Sequence, residues 1–390
     1  MTLDRKTEEF LLGRRLREGV SPAVKRAFAG SRVLVTGAGG SVGSALARQL
    51  ATCCPAEIVL VDHAEYLLFT AARRLQEARP DLRVHPVLAD VSRQRDIATA
   101  CRLHSPDFVF HAAACKHVTV AEEHVVQAAR TNVLGAVFTA RAAREAGARF
   151  VLISTDKAAE PHSVMGATKR LAEMGVLNGG AGAGALAVRF GNVLGSTGSV
   201  VEILMESVRA GRPVTITDPA ATRYFMSAGE AVSLVLKAAA TGRGGEVFWL
   251  DMGEPLRLMD LVHRVVQVAR PQVSPAPRIV VVGLRPGEKR HEQLTGRDLT
   301  MERTADPAIW RARAHASSGG LRRGTLAILR RACASGDAPG VLSLLEDAVA
   351  GYTASPAAHA AAARAAGAGP RPRRGRSSRP AGAMRLACPA

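Results

Sequence analysis

Three regularly spaced glycines near the start of the chain could bind a phosphate group. Gly37, Gly40 and Gly43 form a G-x-x-G-x-x-G pattern, directly after the apolar run RVLVT and at the start of a segment with helical spacing. Glycines permit a tight turn and a close approach of backbone to pyrophosphate, and the following helix N-terminus offers free N–H groups and a favourable dipole. The pattern therefore predicts a dinucleotide-binding loop, which also contains Ser41 and Val42.

An acidic residue follows at the distance expected for such a loop. Asp62 ends the second apolar run, EIVLVD, about 20 residues after the glycines, where its carboxylate can bond a ribose 2′-hydroxyl. A carboxylate would repel a 2′-phosphate, and His63 rather than an arginine comes next, so the sequence favours NAD over NADP. A glycine turn without a ligand is the alternative, and the strand–loop–helix context argues against it.

Residues after two later strands are expected to line the same cofactor. These positions are Asp90, Val91, Ala112, Ala113, Ala114 and Asn132. Asp90 and Val91 follow the strand that ends in LAD and are suited to the adenine. The alanines and Asn132 fit beside the cofactor, although Asn132 could equally make a structural hydrogen bond to backbone.

Side chains that could carry acid–base chemistry follow another apolar strand. Ser154, Thr155, Asp156 and Lys157 end the run RFVLISTD and its continuation, and Lys169 comes twelve residues after Lys157. Ligands of parallel α/β sheets bind beyond the carboxyl ends of the strands, on the side where the nicotinamide should lie. A turn or N-cap role for Asp156 and a solvent-facing charge for Lys157 are the alternatives, and the position directly after a buried strand favours function.

The elements that must position these residues alternate between strand and helix. Apolar strands are predicted in RVLVT, EIVLVDH, RVHPVLAD, DFVFHAAA and RFVLISTD, with helical stretches between them. This order predicts an α/β fold with a Rossmann-type parallel sheet. After about Gly191 the short strands PVTITD, EVFWLDMG and RIVVVG alternate less regularly with helices, which predicts a smaller C-terminal substrate-binding lobe.

The domain organisation follows from these patterns and from the composition of the C-terminus. We expect a helix and linker at 1–30, an NAD(P)-binding Rossmann domain at 31–190, a partly interleaved substrate-binding lobe at 191–350, and a disordered basic tail at 351–390. Seven arginines fall between Arg364 and Arg385 among Ala, Gly, Pro and Ser, a composition that cannot bury a core.

The net charge of +18 raises nucleic acid as a partner. The concentration of arginines in the tail favours a solvated segment, so we expect no specific nucleic-acid partner, and weak binding to RNA or an anionic membrane is the alternative. Apolar runs are too short to span a bilayer, and the charged N-terminus resembles no signal peptide, which predicts a cytoplasmic protein. The six cysteines form no C-x-x-C pair, and no metal site is predicted.

Six motifs in sequence order carry a family resemblance. They are TGAGGSVGS, HAAACKHV, ISTDKAAEPHSVMGATKR, RFGNVLGSTGSV, TDPAATRYFM and GLRPGEK. From about Phe10 to about Leu294 the chain resembles the extended short-chain dehydrogenase/reductase superfamily, and more narrowly the UDP-N-acetylglucosamine 4,6-dehydratases of polysaccharide biosynthesis. Many members carry an N-terminal membrane domain, and this chain resembles their soluble catalytic part. The resemblance implies a tightly bound cofactor and a homo-oligomer.

The resemblance also implies catalytic roles. Most superfamily members have Tyr-x-x-x-Lys where this chain has Met165 to Lys169; the tyrosine takes the hydroxyl proton and the lysine holds the nicotinamide ribose. A thioether cannot act as a general base, and one branch of the dehydratases carries methionine at this position. In the family reaction C4 of the sugar is oxidised, water is lost across C5 and C6, and hydride returns to C6. By resemblance, Lys157 is the base for C5, Asp156 the acid for the departing hydroxyl, and Thr155 a partner of the C4 oxygen.

Two protonation states are expected from the surroundings of these groups. A partly desolvated Lys157 near the cation of Lys169 should have a lowered pKa, and an aspartate in an apolar site can be held protonated. Competing functions are a nucleotide-sugar 4-epimerase of the same superfamily and a non-catalytic NAD(P)-binding regulator. Met165 argues against the epimerase, which relies on a tyrosine, and the intact Asp156, Lys157 and Lys169 argue against the regulator.

The substrate-binding residues implied by the resemblance are Lys116, His117, Asn192, Ser199, Val200, Arg223, Arg285 and Glu288. Lys116 and His117 are expected to line the sugar pocket, and Asn192 to lie near the substrate phosphates. Arg223 and Arg285 suit a pyrophosphate because guanidinium binds phosphate in two-pronged geometry. Glu288 would orient Arg285 or bond the uridine, with a plain surface charge as the alternative.

Overall fold

The computed structural model describes residues 3–178, 184–269, 277–293, 299–314 and 321–367. The strands are β1 (Arg32–Thr36), β2 (Glu57–Asp62), β3 (Arg83–Leu88), β4 (Phe108–His111), β5 (Arg149–Ile153), β6 (Ala185–Arg189), β7 (Asn192–Val193), β8 (Val214–Ile216), β9 (Thr222–Arg223), β10 (Phe225–Met226), β11 (Glu246–Leu250), β12 (Leu256–Arg257), β13 (Ile279–Val281), β14 (Leu299–Arg303) and β15 (Ile309–Ala314).

The helices are α1 (Arg5–Leu12), α2 (Pro22–Phe28), α3 (Ser41–Ala51), α4 (Glu65–Ala78), α5 (Gln94–His104), α6 (Val118–Glu123), α7 (Val125–Ala129), α8 (Ala136–Glu145), α9 (Val164–Asn178), α10 (Val200–Arg209), α11 (Ala228–Thr241), α12 (Leu258–Ala269), α13 (Thr325–Ser335), α14 (Ala338–Ala348) and α15 (Pro356–Gly367). A π-helical segment covers Arg130–Gly135 and a 3₁₀ turn covers Asp156–Ala158.

A nine-stranded sheet forms the centre of the described residues, in the order β14-β15-β11-β6-β5-β4-β1-β2-β3. Strands β11 to β3 run parallel, while β15 is antiparallel to β11 and β14 to β15. The order 3-2-1-4-5-6 is that of a Rossmann fold, and it reverses between β1 and β4, where such sheets bind ligands. The predicted α/β class with a Rossmann-type sheet is confirmed.

The central strands are almost continuously apolar because both faces of a parallel sheet are covered. In β1, β2 and β5 every residue after the first is buried, and in β6 all residues are. Strand β3 is different, since it lies at the end of the sheet and all of its residues are exposed or half-buried. The strands that carry the site are therefore fixed by the core, and β3 is an open edge.

A second core belongs to the smaller lobe. It joins one face of α10 and of α12 with β8, and it includes the fully buried Leu11 of α1. The Arg264 guanidinium donates to the Leu11 carbonyl oxygen at 2.9 Å. The N-terminal segment predicted as a helix and linker thus supplies one wall of this lobe.

The C-terminal half is interleaved with the sheet more than its sequence pattern indicates. Strands β11, β14 and β15 extend the main sheet, and α13 and α14 pack against α7 on the Rossmann side. Only the part around α10, α12 and β8 forms the separate core. The domain boundary predicted at residue 191 therefore does not separate two independently packed parts of the structure.

The expectation of disorder from residue 351 is wrong for Pro356–Gly367, which forms α15. Alanine is the strongest helix former, and the run AAHAAAARAA places Ala358, Ala361 and Ala362 in the buried contact with α14 and α6. The arginine-rich part of the predicted tail, 368–390, lies outside the described residues. Among the helices that the structure describes, none has the length and apolarity that a bilayer crossing requires.

Candidate active site

The glycine loop between β1 and α3 has no room for side chains. Gly37 has φ +65°, and a Cβ there would lie 2.6 Å from the backbone nitrogen of Ala113. A Cβ on Gly43 would lie 2.1 Å from the Gly37 carbonyl oxygen. Gly40 is the N-cap of α3 and, because it has no side chain, it does not cap the helix with a side-chain hydrogen bond. Helix, loop and the end of β4 therefore meet in a backbone cradle that fits a pyrophosphate.

The Asp62 carboxylate is fixed beneath this loop. It is 7% exposed, and its Oδ2 accepts from the Gly39 N–H at 2.9 Å while Oδ1 accepts from the Ala64 N–H at 3.0 Å. His63 lies 3.4 Å from Oδ1, with its side chain 79% exposed. The sequence indicated the carboxylate but missed Gly39, whose N–H holds it in place.

Of the residues expected around the adenine and nicotinamide, Asp90 and Asn132 bond to backbone, whereas Val91 packs in the core. The Asp90 carboxylate accepts from the Ser92 N–H at 2.9 Å, while Val91 is buried and packs against Gly135 of the π-helical segment. Asn132 in that segment is buried. Its amide accepts from the Cys115 N–H at 2.7 Å and donates to the Cys115 carbonyl and the Thr168 hydroxyl. Asn132 thus makes the backbone bonds that the sequence left as an alternative.

These bonds of Asn132 hold the loop after β4, which contains Ala112, Ala113 and Ala114. The Ala112 N–H donates to the Thr36 carbonyl at 3.1 Å, which aligns the loop with the end of β1. The three alanines therefore lie beside the glycine loop, at the point where the strand order reverses.

An acid–base pair lies at the carboxyl end of β5. Asp156 is fully buried, and its Oδ1 accepts from the Lys157 Nζ at 2.9 Å and from the Thr155 hydroxyl at 2.8 Å. Its Oδ2 has no hydrogen-bond partner among the described residues. The Lys157 Nζ, with a side chain 18% exposed, also donates to the Asn192 Oδ1 at 3.1 Å. Four residues chosen from the sequence thus meet in one cluster.

Two residues that the sequence did not single out complete this cluster. Glu292 is 4% exposed and places Oε1 3.6 Å from the Lys157 Nζ. Lys289 lies 3.8 Å from the other carboxylate oxygen of Glu292. Lys289 is the last residue of the GLRPGEK motif and Glu292 comes three residues later, but the arginine and glutamate of the motif drew attention instead. A lysine and a glutamate three residues apart are common on protein surfaces, so their spacing does not indicate an active-site role.

The lowered pKa predicted for Lys157 is wrong. Burial lowers it, but the negative charges of Asp156 and Glu292 outweigh burial and raise the pKa overall. The pKa of the other lysine, Lys169, is shifted in the opposite direction. Lys169 donates to the Ile153 carbonyl at 2.7 Å, and burial lowers its pKa to about 8, partly offset by Glu173.

Ser154 follows β5, and Met165 lies in α9. The Ser154 hydroxyl donates to Glu173 Oε1 at 2.6 Å and is buried, so its side chain faces the core and not the cofactor side. Met165 is 5% exposed in the first turn of α9. Tyr224 lies beside the cluster, because its carbonyl accepts from the Asn192 N–H at 2.9 Å. Burial, with the charges of Glu254 and Asp156, raises the pKa of its phenol.

The loop at 196–198 links the glycine loop to the smaller lobe. The Thr197 N–H donates to the Ser41 hydroxyl at 3.0 Å, and the Lys116 Nζ donates to the Thr197 carbonyl at 2.7 Å. A Cβ on Gly198 would lie 2.6 Å from the His117 ring. Burial lowers the pKa of Lys116, and burial together with the Lys116 charge lowers that of His117. We call residues 196–198 the bridging loop.

The remaining predicted substrate residues lie around the lobe. Ser199 caps α10 by accepting from the Glu202 N–H at 3.4 Å, and Val200 packs against the lobe core. Arg223 is 7% exposed, with one guanidinium nitrogen donating to the Thr222 and Arg290 carbonyls. These bonds fix the Arg223 guanidinium, and its charge lowers the pKa of Lys157.

Arg285 and Glu288 form a surface turn that directly precedes Lys289 of this cluster. Arg285 is exposed, and the Glu288 carboxylate accepts from its backbone N–H at 3.2 Å. The Glu288 N–H donates in turn to the Arg285 carbonyl at 3.0 Å. In the described structure Glu288 holds the turn through backbone and does not orient the guanidinium.

The sheet order, the glycine loop and the Thr155–Lys157 turn define a protein of the extended short-chain dehydrogenase/reductase class. The chain belongs to the polysaccharide biosynthesis protein family, whose model matches residues 33–314. It is 41% identical over 294 residues to EpsC of Bacillus subtilis, named as a probable polysaccharide biosynthesis protein, with 74% of this chain and 49% of that protein covered. The capsular polysaccharide biosynthesis protein CapD of Staphylococcus aureus is also 41% identical, over 74% of this chain and 49% of CapD.

The chain thus spans about half the length of these two curated relatives. A UDP-glucose 4-epimerase of Rickettsia canadensis is 32% identical, over 68% of this chain and 78% of that protein. Among solved structures, Pen from Bacillus thuringiensis has a TM-score of 0.67 at 25% identity, covering 75% of this chain and 91% of Pen. The dTDP-glucose 4,6-dehydratase DesIV from Streptomyces venezuelae, solved with NAD, has a TM-score of 0.59 at 23% identity, covering 68% and 88%, and shows the shared fold alone.

Proposed function

We propose that the chain is a nucleotide-sugar 4,6-dehydratase that converts UDP-N-acetylglucosamine to a UDP-4-keto-6-deoxy sugar with a tightly bound NAD(P), NAD being favoured. The observation that carries the proposal is the buried Asp156–Lys157 pair at the end of β5, with Met165 in place of a tyrosine. An acid and a base side by side suit the loss of water from adjacent carbons. A pathway that builds polysaccharide is consistent with the family.

The cofactor would be held by residues that already form its cradle. Gly37 and Gly43 leave room for a pyrophosphate at the N-terminus of α3, and Asp62 is placed for the ribose hydroxyls. Bound NAD(P) would supply reversible hydride transfer, taken from C4 of the sugar and given back at C6. Lys169 emerges from α9 beside the last carbonyl of β5, where the nicotinamide ribose would lie.

The acid–base pair contains the proton that elimination requires. In the free protein Lys157 has a raised pKa, so it is an ammonium group facing the Asp156 carboxylate at 2.9 Å. Movement of one proton along this hydrogen bond gives a neutral amine and a carboxylic acid with no change in total charge. Such a pair titrates as one unit, so a raised pKa of Lys157 in the free protein is compatible with a basic role.

The elimination then follows from the positions of the two groups. The neutral Lys157 Nζ removes the proton from C5, and Asp156 gives its proton to the C6 hydroxyl, which departs as water. Once C6 has been reduced, Lys157 returns its proton to C5. The proton that the C4 hydroxyl loses on oxidation passes to solvent, and Asp156 takes a proton from solvent after water has left, so the protons released and taken up in the cycle are equal. Thr155 supplies a hydrogen bond to the C4 oxygen.

The test is product analysis with purified protein, UDP-N-acetylglucosamine and no added cofactor. We expect a product lighter by one water in mass spectrometry and a 4-keto-6-deoxy sugar in NMR spectra. Lys157→Met should abolish the product, whereas the exposed Lys25→Met, a matched control, should retain it. Absence of product even with NAD and NADP added would refute the dehydratase.

A 4-epimerase is the second candidate, because relatives named UDP-glucose 4-epimerase are 32–33% identical to this chain. The same assay separates the two functions. An epimerase would give a product of unchanged mass with inverted C4, and a dehydratase one that lacks water. The absence of a tyrosine at Met165 favours the dehydratase.

A further inference from the structure

Three side chains able to bind a metal ion lie close together on β2, β3 and α5, at the end of the sheet opposite the active site. Glu57 is the first residue of β2, His85 lies in the first half of β3, and His104 is the last residue of α5. The acid–base pair follows the carboxyl end of β5, whereas these residues lie toward the amino ends of parallel strands. They are far apart in sequence, which is why no ligand spacing indicated them.

The distances suit a shared ion. The Glu57 Oε2 lies 3.3 Å from the His85 Nε2, and its Oε1 lies 3.9 Å from the His104 Nδ1. One ligating atom from each of the three residues lies within 4.8 Å of the others. Zinc ligands at about 2.0–2.1 Å in tetrahedral geometry are roughly 3.3 Å apart. The first pair has this spacing, and small side-chain rotations would bring His104 to it.

The surroundings favour a cation. In the described chain, the ion-pair partners of Glu57 are the two imidazoles, and no lysine or arginine pairs with it. The three side chains are 17–42% exposed, which leaves an entry path and room for a water ligand.

We propose that Glu57, His85 and His104 bind a divalent ion of the zinc class, which ties β2, β3 and α5 together. Two imidazoles and one carboxylate are a recognised ligand set for zinc, and imidazole disfavours magnesium and calcium. The open edge strand β3 is held on one side only, by β2. An ion shared by three elements would stabilise that edge, because binding to the folded state alone raises stability.

The test is a zinc titration of the full-length, tag-free, metal-stripped protein by calorimetry, with thermal unfolding measured in parallel. We expect one equivalent of Zn²⁺ to bind and to raise the Tm, and Mg²⁺ to have no effect. His85→Gln and His104→Gln should each weaken zinc binding about 100-fold or more, since loss of even outer partners costs about 10- to 100-fold. Glu57→Gln should weaken it as well.

The chain contains a matched control. His359 Nε2 lies 3.4 Å from Glu346 Oε1, a similar His–Glu pair that no third ligand joins in the described residues. His359→Gln should leave zinc affinity unchanged. Absence of saturable binding, or binding that survives in the His85→Gln/His104→Gln double variant, would overturn the proposal. The readouts do not depend on sugar turnover, so this result and that of the dehydratase assay are independent.

Discussion

Two fully buried carboxylates lie close together in the chain but in opposite situations. The Glu173 carboxylate, on α9, accepts from the Ser154 hydroxyl at 2.6 Å and from the Arg189 guanidinium at 2.7 and 2.6 Å, with both oxygens bonded. The Asp156 carboxylate has both of its hydrogen bonds on Oδ1, and Oδ2 has no partner in the described residues.

The number of bonded oxygens distinguishes a buried carboxylate that stabilises the fold from one that is available to react. Buried polar atoms nearly always have partners, and a buried charge with every partner supplied is part of the fold. An oxygen left without one costs stability, and it is retained where a substrate completes the site. Glu173 should therefore matter for folding and Asp156 for turnover.

Removing the acid should have the largest effect. Asp156→Asn keeps the shape of the side chain but cannot donate a proton to the departing hydroxyl, so dehydration should fall by about 10²- to 10⁴-fold. The rate of product formation measures it, with the exposed Asp81→Asn as control. Retention of more than a tenth of the wild-type rate would contradict the assigned role.

Removing the structural charge should be nearly as severe, but in stability. Glu173→Gln leaves the fully buried Arg189 guanidinium without its counter-charge, and the free energy of unfolding should fall by about 3–5 kcal/mol. Urea denaturation measures this loss. If Asp156→Asn destabilised the protein as much as Glu173→Gln, the distinction between the two carboxylates would fail.

The dependence of stability on pH tests the surroundings of Lys169, the lysine that lies near Glu173. Lys169 has its pKa lowered to about 8 in the folded state, so between about pH 8 and 10.5 the unfolded chain binds a proton that the folded chain does not. The unfolding free energy of the wild type, relative to Lys169→Met, should rise over that range by up to roughly 3 kcal/mol. Urea denaturation at pH 7.5, 9 and 10 tests it, and a difference independent of pH would count against the burial of Lys169.

The smallest effect separates two adjacent hydroxyls. Ser154 donates to Glu173 and Thr155 to Asp156. Ser154→Ala should lower the unfolding free energy by about 1–2 kcal/mol with a minor effect on turnover, because it removes a hydrogen bond to a charged group. Thr155→Val should affect kcat more than stability. Denaturation and initial rates on both variants check the pair, and a reversed pattern would exchange their roles.

The parts of this site that are encoded locally could be predicted from the sequence. A strand, a glycine turn and a helix follow one another without interruption, so the cradle and Asp62 were identified from spacing alone. The strand that ends at Ile153 placed Asp156 and Lys157 for the same reason. The fold class was confirmed because alternation of strand and helix admits few arrangements.

The features that depend on distant contacts could not be predicted. The charge of the neighbouring Asp156, with that of Glu292 from far along the chain, raises the pKa of Lys157, which reversed the expected shift. The cation of Lys169 was expected to lower the pKa of Lys157, but the Lys169 ammonium is bonded to the Ile153 carbonyl. Composition indicated disorder after residue 351, while the helix propensity of alanine and the contact of α15 with α6 produced a helix.

The bridging loop bears on how long a cofactor would stay. Ser41 and Thr197 are 156 residues apart, yet their hydrogen bonds join the glycine loop to the smaller lobe, and Lys116 adds a third connection. We therefore expect a dinucleotide seated on the loop to leave only after these contacts open. The proposed reaction begins and ends with the carrier in the same oxidation state, so the residence time of the carrier could exceed many turnovers, and its exchange rate would be set by the opening of this loop.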